Sequence, residues 1–204
     1  MAGMSMPPEL HETLRSVCEL LNPEKVGDSS SWMLGGSCGL LLHNVPLAGP
    51  PRDIDLYADL GEADSLHNAL RPWSLNQPEE DYSRGCYSLR SHYRRGLYPM
   101  ELVCGFKICS GYSQYVVETS LLLQDSPLTY FDDIGFLRIM PLAHECIVNL
   151  LRGRKERYEN IAERMRGEMS LHLPLLQILI DRNTLEHSHM LILEELLSVS
   201  LCEV

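Results

Sequence analysis

The spacing of hydrophobic positions changes character near residue 140. Before that point apolar residues recur at both helical and strand periods. Residues 7–22 place Leu10, Leu14, Val17, Cys18 and Leu21 at helical intervals behind Pro7 and Pro8, which predicts an amphipathic helix with one buried face. Asn22-Pro23 and Gly27 to Ser31 are breakers, so the next element should begin near Trp32. Trp32-Met33-Leu34 is short and wholly apolar and predicts a buried strand. Gly35-Gly36-Ser37 then turns the chain, and Leu40 to Leu42 continue as a helix ending near His43-Asn44. After the break from Pro46 to Pro51, residues 52–58 alternate polar and apolar and predict a second strand.

Residues 61–73 read as a short helix with Ala63, Leu66 and Leu70 inward, stopped at Pro72. Residues 76–81 read as a polar loop. The runs Cys86 to Tyr93 and Tyr98 to Phe106, joined by Arg94-Arg95-Gly96, predict a β-hairpin. Residues 111–125 fit strand or helix equally, and Phe136 to Met140 suits a further strand. From Pro141 onward the period is helical. Leu142, Cys146, Ile147, Leu150 and Leu151 make a stripe, a charged segment follows, and Leu173 to Ile180 and Leu185 to Leu201 read as two more helices. Strands followed by a run of helices indicate an α+β chain, with residues 1–140 as one unit and a C-terminal helical lobe at 141–204.

Composition narrows the setting. A chain of 204 residues with 45% hydrophobic and 22% charged residues is ordinary for a globular protein. No apolar run approaches a bilayer span. The N-terminus lacks a basic region followed by an apolar core, so a cytoplasmic location is expected. Seven scattered cysteines suit reduced thiols better than a disulfide framework, and Cys104 with Cys109 makes a weak zinc site. A net charge of −11 disfavours broad affinity for nucleic acid while leaving room for a local basic patch.

The candidate chemistry lies between residues 35 and 101. A strand, a small-residue turn and a helix start suit an anion, although such a turn is by itself more often structural. Asp53 and Asp55 are two apart on a strand and so share a face, with Ile54 and Leu56 turned to the core. Two adjacent carboxylates repel each other unless a cation lies between them, and hard oxygen ligands favour Mg2+ or Mn2+. Glu101 is a lone charge within YPMELVCGF, where it is costly unless compensated, and it is the natural third carboxylate. No Walker-type P-loop is present. His144-Glu145 lacks the second histidine of a zinc-protease helix, and His187 and His189 read as surface residues.

Taken together, Gly35-Gly36-Ser37, Asp53-x-Asp55 and Glu101 give the chain a resemblance to the DNA polymerase β-like nucleotidyltransferase superfamily. Over roughly residues 30–160 it looks most like the small bacterial branch of lincosamide and aminoglycoside nucleotidyltransferases and abortive-infection toxins. The helix after the sheet departs from those relatives at Asn149 and Asn160, where they often carry a lysine and an acidic residue. The resemblance implies a mixed β-sheet flanked by helices, followed by the helical lobe. It implies that Asp53, Asp55 and Glu101 hold the metal, with Glu101 completing a second metal site or serving as general base. Gly35, Gly36, Ser37 and Arg52 would meet the nucleotide. Arg94, Arg95, Arg152, Arg154 and Lys155 are further candidate contacts, each more often simply solvated.

The leading expectation is a metal-dependent enzyme that passes a nucleoside monophosphate from a nucleoside triphosphate to a hydroxyl on a small-molecule acceptor. An enzyme that modifies tRNA, as a toxin or otherwise, is the second. A nucleotide-binding regulatory module without catalysis is the third. The leucine-rich final helix either packs within the helical lobe, the default, or forms the seam of a homodimer.

Overall fold

Alternation in two strands decides the architecture of the chain. The computed structural model describes residues 6–21, 31–131 and 134–201, so the breaker segment expected at 22–30 lies outside the described residues. The first helix, α1 (Pro8–Leu21), buries Leu10, Leu14, Val17 and Cys18 as its spacing predicts. Strand β1 (Trp32–Gly35) runs into helix α2 (Gly36–Leu42), and strand β2 (Ile54–Ala58) follows the proline break. Helix α3 (Ala63–Leu70) then turns Ala63, Leu66 and Leu70 inward. Strand β3 (Glu79–Asp81) occupies the segment expected to be a loop. Its residues are exposed or half-buried and carry no apolar alternation, so a two-period pattern could not reveal it. The hairpin is present as β4 (Cys86–Arg95) and β5 (Tyr98–Ser110).

The ambiguous stretch resolves into both alternatives in succession, strand β6 (Ser113–Val116) and a single helical turn α4 (Thr119–Leu122). Strands β7 (Leu128–Phe131) and β8 (Gly135–Arg138) form a separate two-stranded sheet. Four helices complete the described chain: α5 (Leu142–Leu151), α6 (Lys155–Arg166), α7 (Met169–Arg182) and α8 (His187–Leu197).

The main sheet runs β1-β2-β5-β4-β3, with β6 paired to the far end of β5. It is mixed, because β2 and β5 are parallel while the other pairings are antiparallel. Odd and even residues of β2, and of β5 as far as Cys104, face opposite layers, and Gly105 at φ +60° then shifts the alternation of β5. Ile54, Leu56, Met100, Leu102 and Cys104 join α1 and α3 in one apolar cluster. Val103 and Phe106 join α5, α6, α7 and α8 in another. The helices therefore sandwich the sheet. At roughly 1.5–3 kcal/mol per fully buried Leu or Ile side chain, these two clusters are the main stabilising term. Met190, Leu193 and Leu197 of the final helix pack into the second cluster, the intramolecular arrangement expected by default. No helix among the described residues is long and apolar enough to cross a membrane.

Candidate active site

The polar positions of β2 and β5 lie beneath the α5–α6 side of the sheet. There they line a cleft of about 510 Å³, together with Gly36, Ser37 and arginines from several elements. Asp55 and Glu101 are direct partners across the parallel β2–β5 pair. Asp53, one residue before β2, lines the same cleft. All three carboxylates placed together by sequence reasoning are brought together by the fold.

Each is held differently. Burial pushes the Asp55 carboxyl up to about 7, and the neighbouring charges of Asp53, Glu101 and Glu145 push in the same direction, with Arg152 opposing them. Glu101 has the compensation that an acid in an apolar strand needs. Its oxygens stand 3.5 Å from Arg90 and 3.5 Å from His92, both on the adjacent β4. Arg90 also pairs with Asp81 at 2.9 Å, so β3, β4 and β5 are joined by one charge chain.

The glycine turn is shaped by what lies against it. Gly36 stands at φ +57°, and a Cβ there would collide with the Asp55 carboxylate. A Cβ on Gly35 would press the Tyr57 ring at 2.7 Å. Each residue is glycine for steric reasons, and the Asp55 carboxylate supplies one of them. The turn is not a bare set of N–H donors as the sequence suggested, because the Gly36 N–H donates to Glu145 Oε1 at 3.0 Å. Glu145 is 5% exposed and also accepts Asn149 Nδ2 at 3.0 Å. Burial raises its carboxyl above the ordinary range, against the lowering pull of those hydrogen bonds and of Arg157 and Arg154.

A corner between α5 and α6 supplies the cations. Gly153 at φ +64° and the Arg154 N–H bond to Asn149 O at 2.9 Å turn the chain there. Arg152 and Arg154 line the cleft, and Arg157 one turn later donates from Nη2 to Ser37 Oγ at 2.9 Å. Burial, with Arg152 and Arg157 adding to it, lowers Arg154 from the usual guanidinium range. Helix α6 is pinned over α2 by Arg164 to His43 O at 3.3 Å and Asn160 to Pro46 O at 3.1 Å.

Other expected contacts fall elsewhere. Arg52 is exposed and lines a neighbouring cavity of about 350 Å³, which shares Ser37, Asp53 and Arg157 with the cleft. Arg94 and Arg95 sit at the exposed hairpin tip, with Arg95 over the Trp73 ring at 4.9 Å, and Lys155 is exposed beside Glu159 at 3.7 Å. His189 is not a simple surface residue, since its Nδ1 lies 2.8 Å from Ser113 Oγ and it is half-buried there. Sequence reasoning missed Glu145, Arg157, Arg90 and Asp81 as members of the cleft. Glu145 carried a usable signal, a lone acid within the apolar run LAHECIVNLL. The two arginines carried none, being charges among other charges.

No family model and no curated protein matches the sequence. Among solved structures, a Thermotoga maritima protein that carries a provisional nucleotidyltransferase assignment superposes with a TM-score of 0.61. It is 18% identical, and the match covers 80% of this chain and 97% of that one. The lincomycin-bound lincosamide antibiotic adenylyltransferase LnuA aligns more loosely, at 12% identity and a TM-score of 0.44, over 78% of this chain and 98% of that one. The first of these likenesses, with the mixed sheet and its flanking helices, shows that the chain has the nucleotidyltransferase-type α+β fold.

Proposed function

We propose that the protein is a metal-dependent nucleotidyltransferase that moves a nucleoside monophosphate from a nucleoside triphosphate to a hydroxyl of a small-molecule acceptor and releases pyrophosphate. The observation that carries this reading is the juxtaposition of Asp53, Asp55 and Glu101 with Arg152, Arg154 and Arg157 across one cleft. Acids on one wall suit a divalent cation, and cations on the other suit polyphosphate.

The residues fit Mg2+ or Mn2+. The donors are hard carboxylate oxygens from Asp53, Asp55 and Glu101, gathered at one cleft. Among the described residues no three His, Cys, Asp or Glu side chains form a ready cage, so Asp53 and Asp55 would hold the ion first, with phosphate oxygens completing its shell. When bound, such an ion offsets charge on the triphosphate and favours the attacking oxygen. The chain's own residues supply the rest. Ser37 and the arginine corner would position the phosphates, and Glu101 would take the proton of the acceptor hydroxyl. As the acceptor oxygen bonds to the α-phosphorus, the bond to the bridging oxygen breaks and pyrophosphate departs. Glu101 is suited to this by Arg90 and His92 at 3.5 Å, which keep its carboxylate oriented without burying it.

Two features support a small acceptor over a long nucleic acid. Arg90, Arg154 and Arg157 of the cleft are half-buried and offer no broad exposed basic surface, and the chain as a whole is strongly acidic. A module without catalysis is harder to reconcile with the site, because binding alone gives no reason to keep Asp53, Asp55 and Glu101 together at one cleft.

The test is pyrophosphate release from each of the four ribonucleoside triphosphates, with magnesium and a panel of hydroxyl-bearing acceptors. Release should fall by about 10³-fold or more in Asp53→Ala/Asp55→Ala. Undiminished release by that double variant would sink the assignment.

A further inference from the structure

One end of the cleft has no task in the transfer as described. The sheet runs from β1, which leads into Gly36 and Ser37, across to β3 at the opposite edge. In-line attack puts the entering oxygen and the departing pyrophosphate on opposite sides of the phosphorus. With the phosphates at Ser37 and Arg157, the acceptor enters over Glu101 and β4. From there the cleft follows β4 back to its first residue, Cys86, and to Ser83 and Arg84 of the turn before it. Glu101 pairs with His92, six positions after Cys86, so the far end lies roughly 20 Å away at about 3.3 Å per residue.

That end suits negative charge. The Cys86 N–H donates to Ser83 O at 2.9 Å and closes a tight turn, in which Arg84 stands at φ +53° and Gly85 at φ +73°. Such a turn ordinarily takes Asn, Asp or Gly at its first central position, and an arginine there is strained. The turn is clamped as well, because the Cys109 N–H donates to Gly85 O at 2.8 Å and a Cβ on Gly85 would meet Cys109 O at 2.5 Å. Among the described residues the Arg84 guanidinium has neither hydrogen bond nor ion pair. Burial raises the Cys86 thiol while Arg152 and Arg154 pull it down, so the field of the arginine corner reaches the same place. Asp81, which also lines the cleft here, is already held by Arg90 at 2.9 Å. A neutral nucleoside would leave Arg84 without a counter-charge, and a cationic acceptor would be repelled by it.

We propose that Arg84 is a specificity-determining residue, and that the acceptor is an elongated small molecule with its reacting hydroxyl at one end and a carboxylate or phosphate at the other. The hydroxyl meets Glu101 and the anionic group meets Arg84, so the length of the cleft measures the acceptor as well as its charge. This inference rests on the nucleotidyltransferase reading and adds the chemical class of the acceptor.

Suitable probes are ω-hydroxyalkanoates of graded length, each matched by the diol and the amino alcohol of the same length. With magnesium and a triphosphate, pyrophosphate release should show a kcat/KM at least about tenfold higher for a long hydroxyalkanoate than for its diol, and lowest for the amino alcohol. Short hydroxyalkanoates, which do not span the cleft, should lose that advantage. Arg84→Gly suits the backbone of the turn and removes the guanidinium. The variant should therefore stay folded while the ratio of hydroxyalkanoate to diol kcat/KM falls about tenfold. Calorimetric titration with the long hydroxyalkanoate in magnesium-free buffer is independent of turnover, and the variant should bind it about tenfold more weakly. Release that favours the diol, the amino alcohol or a ribo-oligonucleotide, or a ratio unchanged in Arg84→Gly, overturns the inference and leaves the nucleotidyltransferase reading standing. Absence of pyrophosphate release with every triphosphate and every probe removes both.

Discussion

The two faces of β2 and β5 are built from alternate residues of the same ten positions, yet they obey opposite rules. On the α1/α3 face, Ile54, Leu56, Met100 and Leu102 are no more than 1% exposed and belong to one apolar cluster. On the α5/α6 face, Asp55 and Glu101 stand side by side, with Tyr57 and Val103 completing the floor of the cleft. The first face lowers the free energy of the fold. The second raises it, because carboxylates are partly withdrawn from water beside one another. The contrast shows where stability ends and function begins: the closed face supplies the stability that the open face spends. A rigid floor also fixes the acids, since neither strand can shift without disturbing a close-packed layer.

The contrast can be broken most forcefully from the closed side. Leu56→Ala should cost about 2–5 kcal/mol in urea unfolding, the usual range for a fully buried leucine. It should do so without altering the triphosphate KM of the protein that remains folded. A KM that changes as much as stability would mean that the two faces are not separable.

Arg157→Ala probes the open face. Loss of its contact with Ser37 should raise the triphosphate KM by about tenfold, worth roughly 1.4 kcal/mol, and leave the melting temperature nearly unchanged. A large fall in melting temperature with normal KM would show that Arg157 is structural.

The finest distinction comes from pH. The folded Asp55 carboxyl is raised from 3.8 to about 7, so the folded state holds that proton more firmly than the unfolded chain does. Stability from this group is therefore greatest below about pH 4, declines as pH rises towards 7, and stays diminished above. In metal-free buffer, Asp55→Asn should melt higher than wild type at pH 8, with the gap closing near pH 4. Magnesium at pH 8 should raise wild type more than the variant. A gap that does not vary with pH would show that Asp55 is not penalised by burial.

Much of this arrangement could be read along the chain. The alternation in residues 53–58 and 99–104 places the acids on one face and the core on the other, because a strand has period two and both segments are short enough to leave no second solution. The helical stripe from Leu142 is equally plain. What could not be read depends on residues far apart. Gly36 meets Glu145 across 109 positions and Ser37 meets Arg157 across 120, and no local period encodes such meetings. Nor could β3 be read, since its three acids form strand by pairing with β4 and not by their own preference. Arg52, beside the aspartates in sequence, leans into the adjoining cavity, which shows that nearness along a chain is a poor guide to side-chain direction.

The pairing of Asp55 with Glu101 in the parallel ladder also acts as a proofreading device. A slip of one residue between β2 and β5 would set Asp55 beside Met100 or Leu102 and bring an acid against the greasy layer under α1 and α3. The misaligned chain would lose its apolar floor and the pairing of Asp55 with Glu101 in the same step. The alternation that buries the apolar layer is thus the same one that sets the acids in register.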